Sequence, residues 1–206
     1  MSTFFIADTH FGHWKIVLHC KRPFSSIEDH DETLIANWNA VVPDDPKAIV
    51  YHLGDFAFAK KPRVLELLDR LHGTIYLLRG NHERSMRGKE IFDRLGFIRD
   101  YFELKIRDEE TGAKQLIVLC HYPFQTWNKR IHRSWHLHGH SHGRLPSGAD
   151  MARMDVGVDA RNFYPTSYSA VEEVMTRKVF KPPYLGDSRY CKEEQCSSAA
   201  IVEPQE

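Results

Sequence analysis

Short apolar runs that stop abruptly at polar residues set the pattern of this chain. The clearest cover residues 4–7, 48–51, 75–78 and 116–119, with weaker runs at 135–138 and 154–158. Near-continuous apolar runs of about four to eight residues suit strands buried on both faces. Helical spacing fills the intervals. Ser25-Ser26-Ile27-Glu28 offers a capping box ahead of Leu34, Ile35 and Trp38. Pro62 can open a second helix through Val64, Leu65, Leu68 and Leu71, stopped at Gly73. Ile91, Phe92 and Leu95 mark a third, with Gly96 at its end. Residues 102–119 instead alternate on either side of a turn at 108–112, the pattern of an antiparallel hairpin. Strands alternating with helices predict an α/β fold that mixes parallel and antiparallel pairing.

Composition narrows the partners. A chain of 206 residues is one domain at the usual size of about 100–200 residues, read here as residues 1–186. The Ser/Glu/Gln-rich stretch 187–206 reads as a flexible tail. Lys and Arg number 28 and so do Asp and Glu, so the net charge is zero. That argues against a wide electrostatic groove for long duplexes, whose non-specific affinity comes from released counterions. A small phosphorylated substrate or a single nucleic-acid end remains open. No apolar stretch approaches the roughly 20 residues of a membrane span, and the first residues lack the basic and apolar segments of a signal peptide. Cys20, Cys120, Cys191 and Cys196 are scattered and read as free thiols, which places the protein in the cytoplasm. Histidine stands out, with 13 in the chain and five between His132 and His142.

The strands end in an unusual set of residues. The first run ends in Asp8-Thr9-His10, the second in Gly54-Asp55 and the third in Gly80-Asn81-His82-Glu83. The fourth ends at His121 and the fifth at Gly139-His140-Ser141-His142. Ligands of α/β sheets bind outside the carboxyl ends of the strands, so these residues can converge although they are far apart in sequence. Carboxylate, imidazole and amide oxygen without thiolate suit Mn, Fe or Zn, with Ni also possible, and suit Mg or Ca poorly. Asp8, His10, Asp55, Asn81, His121, His140 and His142 are too many for one open catalytic ion and enough for two that share a carboxylate. Two ions about 3.5–4 Å apart can hold a hydroxide between them and clamp the attacking and leaving oxygens at phosphorus.

These five blocks, in this order over residues 8–142, resemble the calcineurin-like metallophosphoesterases. The resemblance implies a four-layer α/β/β/α sandwich of mixed sheets and two divalent transition metals, manganese the best candidate. By position, Asp8, His10 and His142 would hold one metal, and Asn81, His121 and His140 the other. Asp55 would bridge them, and His82 would stand beside the leaving group as acid or charge stabiliser. The block Gly54-Asp55-Phe56-Ala57 lacks the further Asp and Arg of the protein Ser/Thr phosphatases, which argues against that subclass.

Substrate contacts are then expected from other residues. His13 lies in the loop after His10. Lys129, Arg130, Arg133, Arg144 and Arg161 flank the later blocks, and Arg130, Arg133 and Arg161 are taken as substrate-binding candidates. Trp14, Tyr122, Phe124, Trp127 and Trp135 could stack bases or pack under loops. His52 reads as a strand residue. His138 would share a face with 140 and 142 if its strand continued, as support for the ligands. The expected activity is hydrolysis of a small nucleotide-like phosphodiester or a nucleic-acid end. A phosphomonoesterase on the same scaffold and a non-catalytic metal-binding scaffold are the alternatives.

Overall fold

A computed structural model describes residues 2–107, 112, 114–146 and 151–178. Five strands form one sheet: β1 (Thr3–Ile6), β2 (Ile49–His52), β3 (Thr74–Leu78), β4 (Phe97–Arg99) and β9 (Thr166–Ser167). Their order is β4-β3-β2-β1-β9, parallel except for β9 against β1. The second sheet holds β5 (Tyr101–Arg107), β6 (Lys114–Cys120), β7 (Trp135–His138) and β8 (Arg153–Asp155) in sequence order. Only β5 and β6 pair antiparallel there, as the hairpin pattern predicts. The turn itself lies outside the described residues apart from Gly112, as do the tail, Cys191 and Cys196.

Alternation along β1 separates the layers. Phe4 and Ile6 pack with Leu34 and Trp38 of α2 (Ile27–Val41) and with Val64 and Leu67 of α3 (Lys61–Arg70). Phe5 and Ala7 point the other way, into a core shared with Leu119 and Leu137 of the second sheet. Successive strand residues face opposite sides, so one run serves both cores. On the outer face of the second sheet, His136 is covered by Phe124 and Trp127 from the loop that carries a 3-10 turn at Arg130–His132. Helix, sheet, sheet and this thinner outer cover make the four layers. A helix without a clear sequence signal, α5 (Tyr168–Thr176), places Val171 and Met175 in the inter-sheet core beside β9 and β8.

Local signals hold with small shifts. Ser26 caps α2 by accepting the Asp29 N–H, so the reciprocal residue is Asp29 and not Glu28; its Oδ2 accepts from the Ser25 N–H. Pro62 lies in the first turn of α3. The third expected helix shrinks to α4 (Lys89–Phe92), a single turn that leaves Phe92 exposed. A further short helix, α1 (Trp14–His19), follows the first polar block. Among the described residues no helix is long and apolar enough to cross a membrane.

Candidate metal centre

All five blocks meet at the carboxyl ends of β1, β2, β3, β6 and β7. Tight turns put them there. Asp8, His10, Asp55, His140 and His142 all have positive φ, between 48° and 66°, five of the ten such non-glycine residues among those described. Left-handed backbone costs about 1–2 kcal/mol for a side chain with a Cβ. Concentrating that cost on these residues marks a constrained site. Close approach adds to it. A Cβ on Gly54 would lie 2.7 Å from His121 Nδ1, and one on Gly139 would lie 2.8 Å from Asp8 Oδ2.

Three donor atoms gather on one side. His121 Nε2 lies 3.1 Å from Asn81 Oδ1 and 3.2 Å from His140 Nδ1, and those last two atoms are 3.0 Å apart. His121 Nδ1 donates to the Leu53 carbonyl at 2.8 Å, which leaves Nε2 as a lone pair facing an amide oxygen. Burial holds this imidazole below its ordinary pKa, against the opposing pull of the Asp55 carboxylate. With their lone pairs turned toward one another, three such atoms repel unless a cation lies among them. Ligand bonds of about 2.0–2.2 Å place neighbouring donors about 3 Å apart.

Asp8, His10 and His142 form the other group, with ligand atoms within 4.8 Å of one another. His10 and His142 stack at 5.4 Å between ring centroids. His10 Nε2 is buried without a hydrogen-bond partner. Burial, then the Arg22 charge, keeps that ring neutral by pushing its pKa far down. Asp8 is fully buried and accepts the His140 N–H at 2.9 Å. Burial raises its carboxyl to about 8. Between the groups stands Asp55, whose Oδ2 lies 3.4 Å from His10 Nε2 and 3.6 Å from His121 Nε2. Its Oδ1 accepts the His82 N–H at 2.8 Å. An orphaned imidazole nitrogen, facing lone pairs and a carboxylate between two donor groups fit divalent metals well.

Supporting residues escaped the sequence reading. Asp159 accepts from His142 Nδ1 at 2.7 Å, leaving Nε2 of that ring for a metal. Arg22 grips both Asp159 oxygens, at 2.8 and 2.7 Å, and donates to the Asp8 carbonyl. Burial pushes the Asp159 pKa up, yet His142 and Arg22 outweigh it and hold the carboxyl at about 2. Asp155 accepts from Ser141 Oγ and Gly143 N and so shapes the loop of the fifth block. The run 154–158 interrupted and followed by Asp carried the same signature as the other blocks, an apolar run closed by a carboxylate. Arg22 had no comparable signal.

His82 and His13 lie beside the centre. Ring centroids are 5.5 Å apart for His82 and His10, and 5.9 Å for His82 and His13. The arginines do not join them. Arg130 is buried over the Trp127 ring, 5.4 Å from its centroid. Arg133 lines a cavity with Gln115, Trp135 and Ala152, at the opposite ends of the strands. Arg161 donates from Nε to the Asp155 carbonyl, a tie within the fold. Nearness in sequence to a block did not set the direction of these side chains. His138 is no ligand support by alternation either: β7 stops at this residue, and its Nδ1 turns to the Gly139 carbonyl. His52 is buried against Thr9 Oγ1 at 2.9 Å, as a strand residue should be.

The chain is similar to known proteins. A calcineurin-like phosphoesterase model matches residues 1–145. The uncharacterized protein MJ1445 of Methanocaldococcus jannaschii is 32% identical over 181 residues, covering 84% of this chain and 91% of that protein. Gene 66 protein of Mycobacterium phage L5 is 27% identical over 183 residues, covering 77% and 87%. Among solved structures, the protein of unknown function AQ665 from Aquifex aeolicus superposes with a TM-score of 0.60 at 23% identity, covering 84% of this chain and 98% of that one. That likeness concerns the fold. With candidate metal ligands at the strand ends and a family match over residues 1–145, the chain belongs to the calcineurin-like phosphoesterases, hydrolases that act on phosphoesters.

Proposed function

We propose that the protein is a dinuclear metal-dependent phosphodiesterase acting on a nucleotide-like phosphodiester or a nucleic-acid end, with manganese the best-suited metal. The position of Asp55 carries the reading: one carboxylate oxygen stands 3.4 and 3.6 Å from imidazole nitrogens of two separate donor groups. Asp8, His10 and His142 would hold one ion, Asn81, His121 and His140 the other, and Asp55 both. When bound, two ions supply Lewis acidity at phosphorus and lower the pKa of water.

The chain's own residues do the rest. The His82 N–H bond to Asp55 Oδ1 fixes this histidine relative to the shared carboxylate. Its half-buried ring faces the rim formed by His10, His13 and Phe58. Water attacks phosphorus and releases a proton to solvent as the bond to the leaving oxygen breaks, and the His82 ring passes a proton to that oxygen and regains one from solvent. Arg22 and Asp159 hold His142 in the tautomer a metal requires.

Initial rates on bis-p-nitrophenyl phosphate and p-nitrophenyl phosphate test this, with Mn, Ni, Zn, Mg or no metal and Asp55→Ala beside the wild type. Metal-dependent diester cleavage, lowered at least about a thousandfold in Asp55→Ala, is expected. Faster monoester turnover would replace the diesterase by a phosphatase. Silence on both with metal bound would overturn the enzyme reading in favour of a scaffold.

A further inference from the structure

We infer that the cavity beside Phe58 is a nucleotide subsite, and that the substrate is a single-stranded nucleic acid extending past the scissile phosphate. The inference rests on the phosphodiesterase reading and adds the substrate's shape. This cavity measures about 400 Å³ and is lined by Phe58, Ala59, Lys60, Arg84 and Ser85. Such a volume falls in the range that binds small ligands, about 300–1,000 Å³.

Its position ties it to the metal centre. One face of Phe58 stacks on His13 at 4.6 Å, and the ring lies 6.4 Å from that of His82. His13 Nδ1 is in turn 3.4 Å from His10 Nδ1. Ser85 Oγ donates to the Ala57 carbonyl, joining the loop after Asp55 to the turn after His82 into one floor. A group in this cavity is therefore adjacent to the residues proposed to handle the leaving oxygen.

Its chemistry matches a nucleotide. Phe58 is 54% exposed, and an exposed ring held against a second ring is a ready platform for a base. Neither the Lys60 nor the Arg84 side chain has a hydrogen-bond or ion-pair partner among the described residues. Neighbouring cations do: Lys61 pairs with Glu90, and Arg63 with Asp31 and Glu66. The nearby Glu83 carboxylate turns inward to the N–H groups of Phe56 and Gly80 and does not neutralise them. Two unpaired cations beside a ring suit the phosphate that follows a stacked base. Tyr122, 42% exposed, offers a second ring on the far side of the centre, 5.0 Å from His140. Of the other candidate aromatics, Trp127 and Trp135 are buried and Phe124 stacks on His136, while Trp14 is 37% exposed. A base on either side of the scissile phosphate requires an unpaired strand, since a duplex hides base faces.

The test measures binding apart from turnover. Fluorescence anisotropy of the full chain with Mn is recorded for labelled phosphorothioate hexamers of thymidylate, of uridylate and of an abasic strand. Lys60→Ala with Arg84→Ala should weaken the base-bearing hexamers about tenfold and flatten log Kd against log salt by about 1.4. Phe58→Ala should weaken them about tenfold, with Phe58→Trp restoring binding and the abasic strand insensitive to both. An unchanged Kd and salt slope in the double variant, or equal losses for the abasic strand with Phe58→Ala, would overturn the subsite. Wild-type binding without cleavage of bis-p-nitrophenyl phosphate would instead overturn the enzyme reading alone.

Discussion

His121 directly follows β6 and His136 lies in the neighbouring strand β7 of the same sheet, and neither is exposed to solvent. Their surroundings differ in kind. His136 donates from Nδ1 to the Val118 carbonyl, and its Nε2 accepts the Phe124 N–H. The backbone satisfies both nitrogens, and two aromatic rings cover them. His121 spends one nitrogen on Leu53 and turns the other toward the side chains of Asn81 and His140. Neither burial nor residue type separates the two; the partners do, backbone groups around one and candidate ligands around the other. His30 follows the first pattern, held between Arg22 and Asp31, and His10 the second.

The sharpest contrast is in how each region responds to pH once metal is removed. Burial raises Asp8 to about 8, so its contribution is present below about pH 4 and is lost as pH rises through about 8. Burial lowers His136 to about 4, so its contribution is present above about pH 6.5 and is lost as pH falls through about 4. In EDTA, Asp8→Asn should therefore gain on the wild type by several kcal/mol between pH 4 and 8. Urea midpoints across that range measure it, and parallel curves would remove the distinction for Asp8.

Paired alanine variants come next. His136→Ala leaves the Phe124 N–H without its acceptor and opens a cavity, which should cost about 2–4 kcal/mol while metal content stays intact. His121→Ala should lose metal and cost the metal-free fold less. Equal stabilities in EDTA, with equal metal content by elemental analysis, would collapse the comparison. The smallest effect is expected from Asp159→Ala, which frees His142 and should weaken metal binding about 10–100-fold. Competition with a metal indicator reads that constant.

Much of this was legible in the sequence because apolar runs and their polar ends are local. The runs at 4–7, 48–51 and 75–78 became adjacent parallel strands, and the polar block after each reached the centre. Direction of long side chains was not legible. Arg130 found Trp127 and Arg133 the far end of the sheet, because packing and not chain position orients a flexible cation. The outward reach of His138 failed for a backbone reason: alternation ends where φ turns positive, as at His140 and His142. Helix α5 went unseen since its buried residues, Val171 and Met175, face the gap between the sheets and give a weak period.

The long reach of the bond from the His140 N–H to Asp8 has a consequence for biosynthesis. It joins residues 132 apart, and the Arg22 clasp on Asp159 joins residues 137 apart. The earliest strand of this domain, β1, is thus an inner strand, and it waits for β9 to occupy its other side. A partly made chain holds Asp8 and His10 with nothing opposite them. Metal capture by the nascent protein is for that reason a terminal event, following translation of nearly the whole domain, and a ribosome stalled before residue 159 should display a chain without a formed centre.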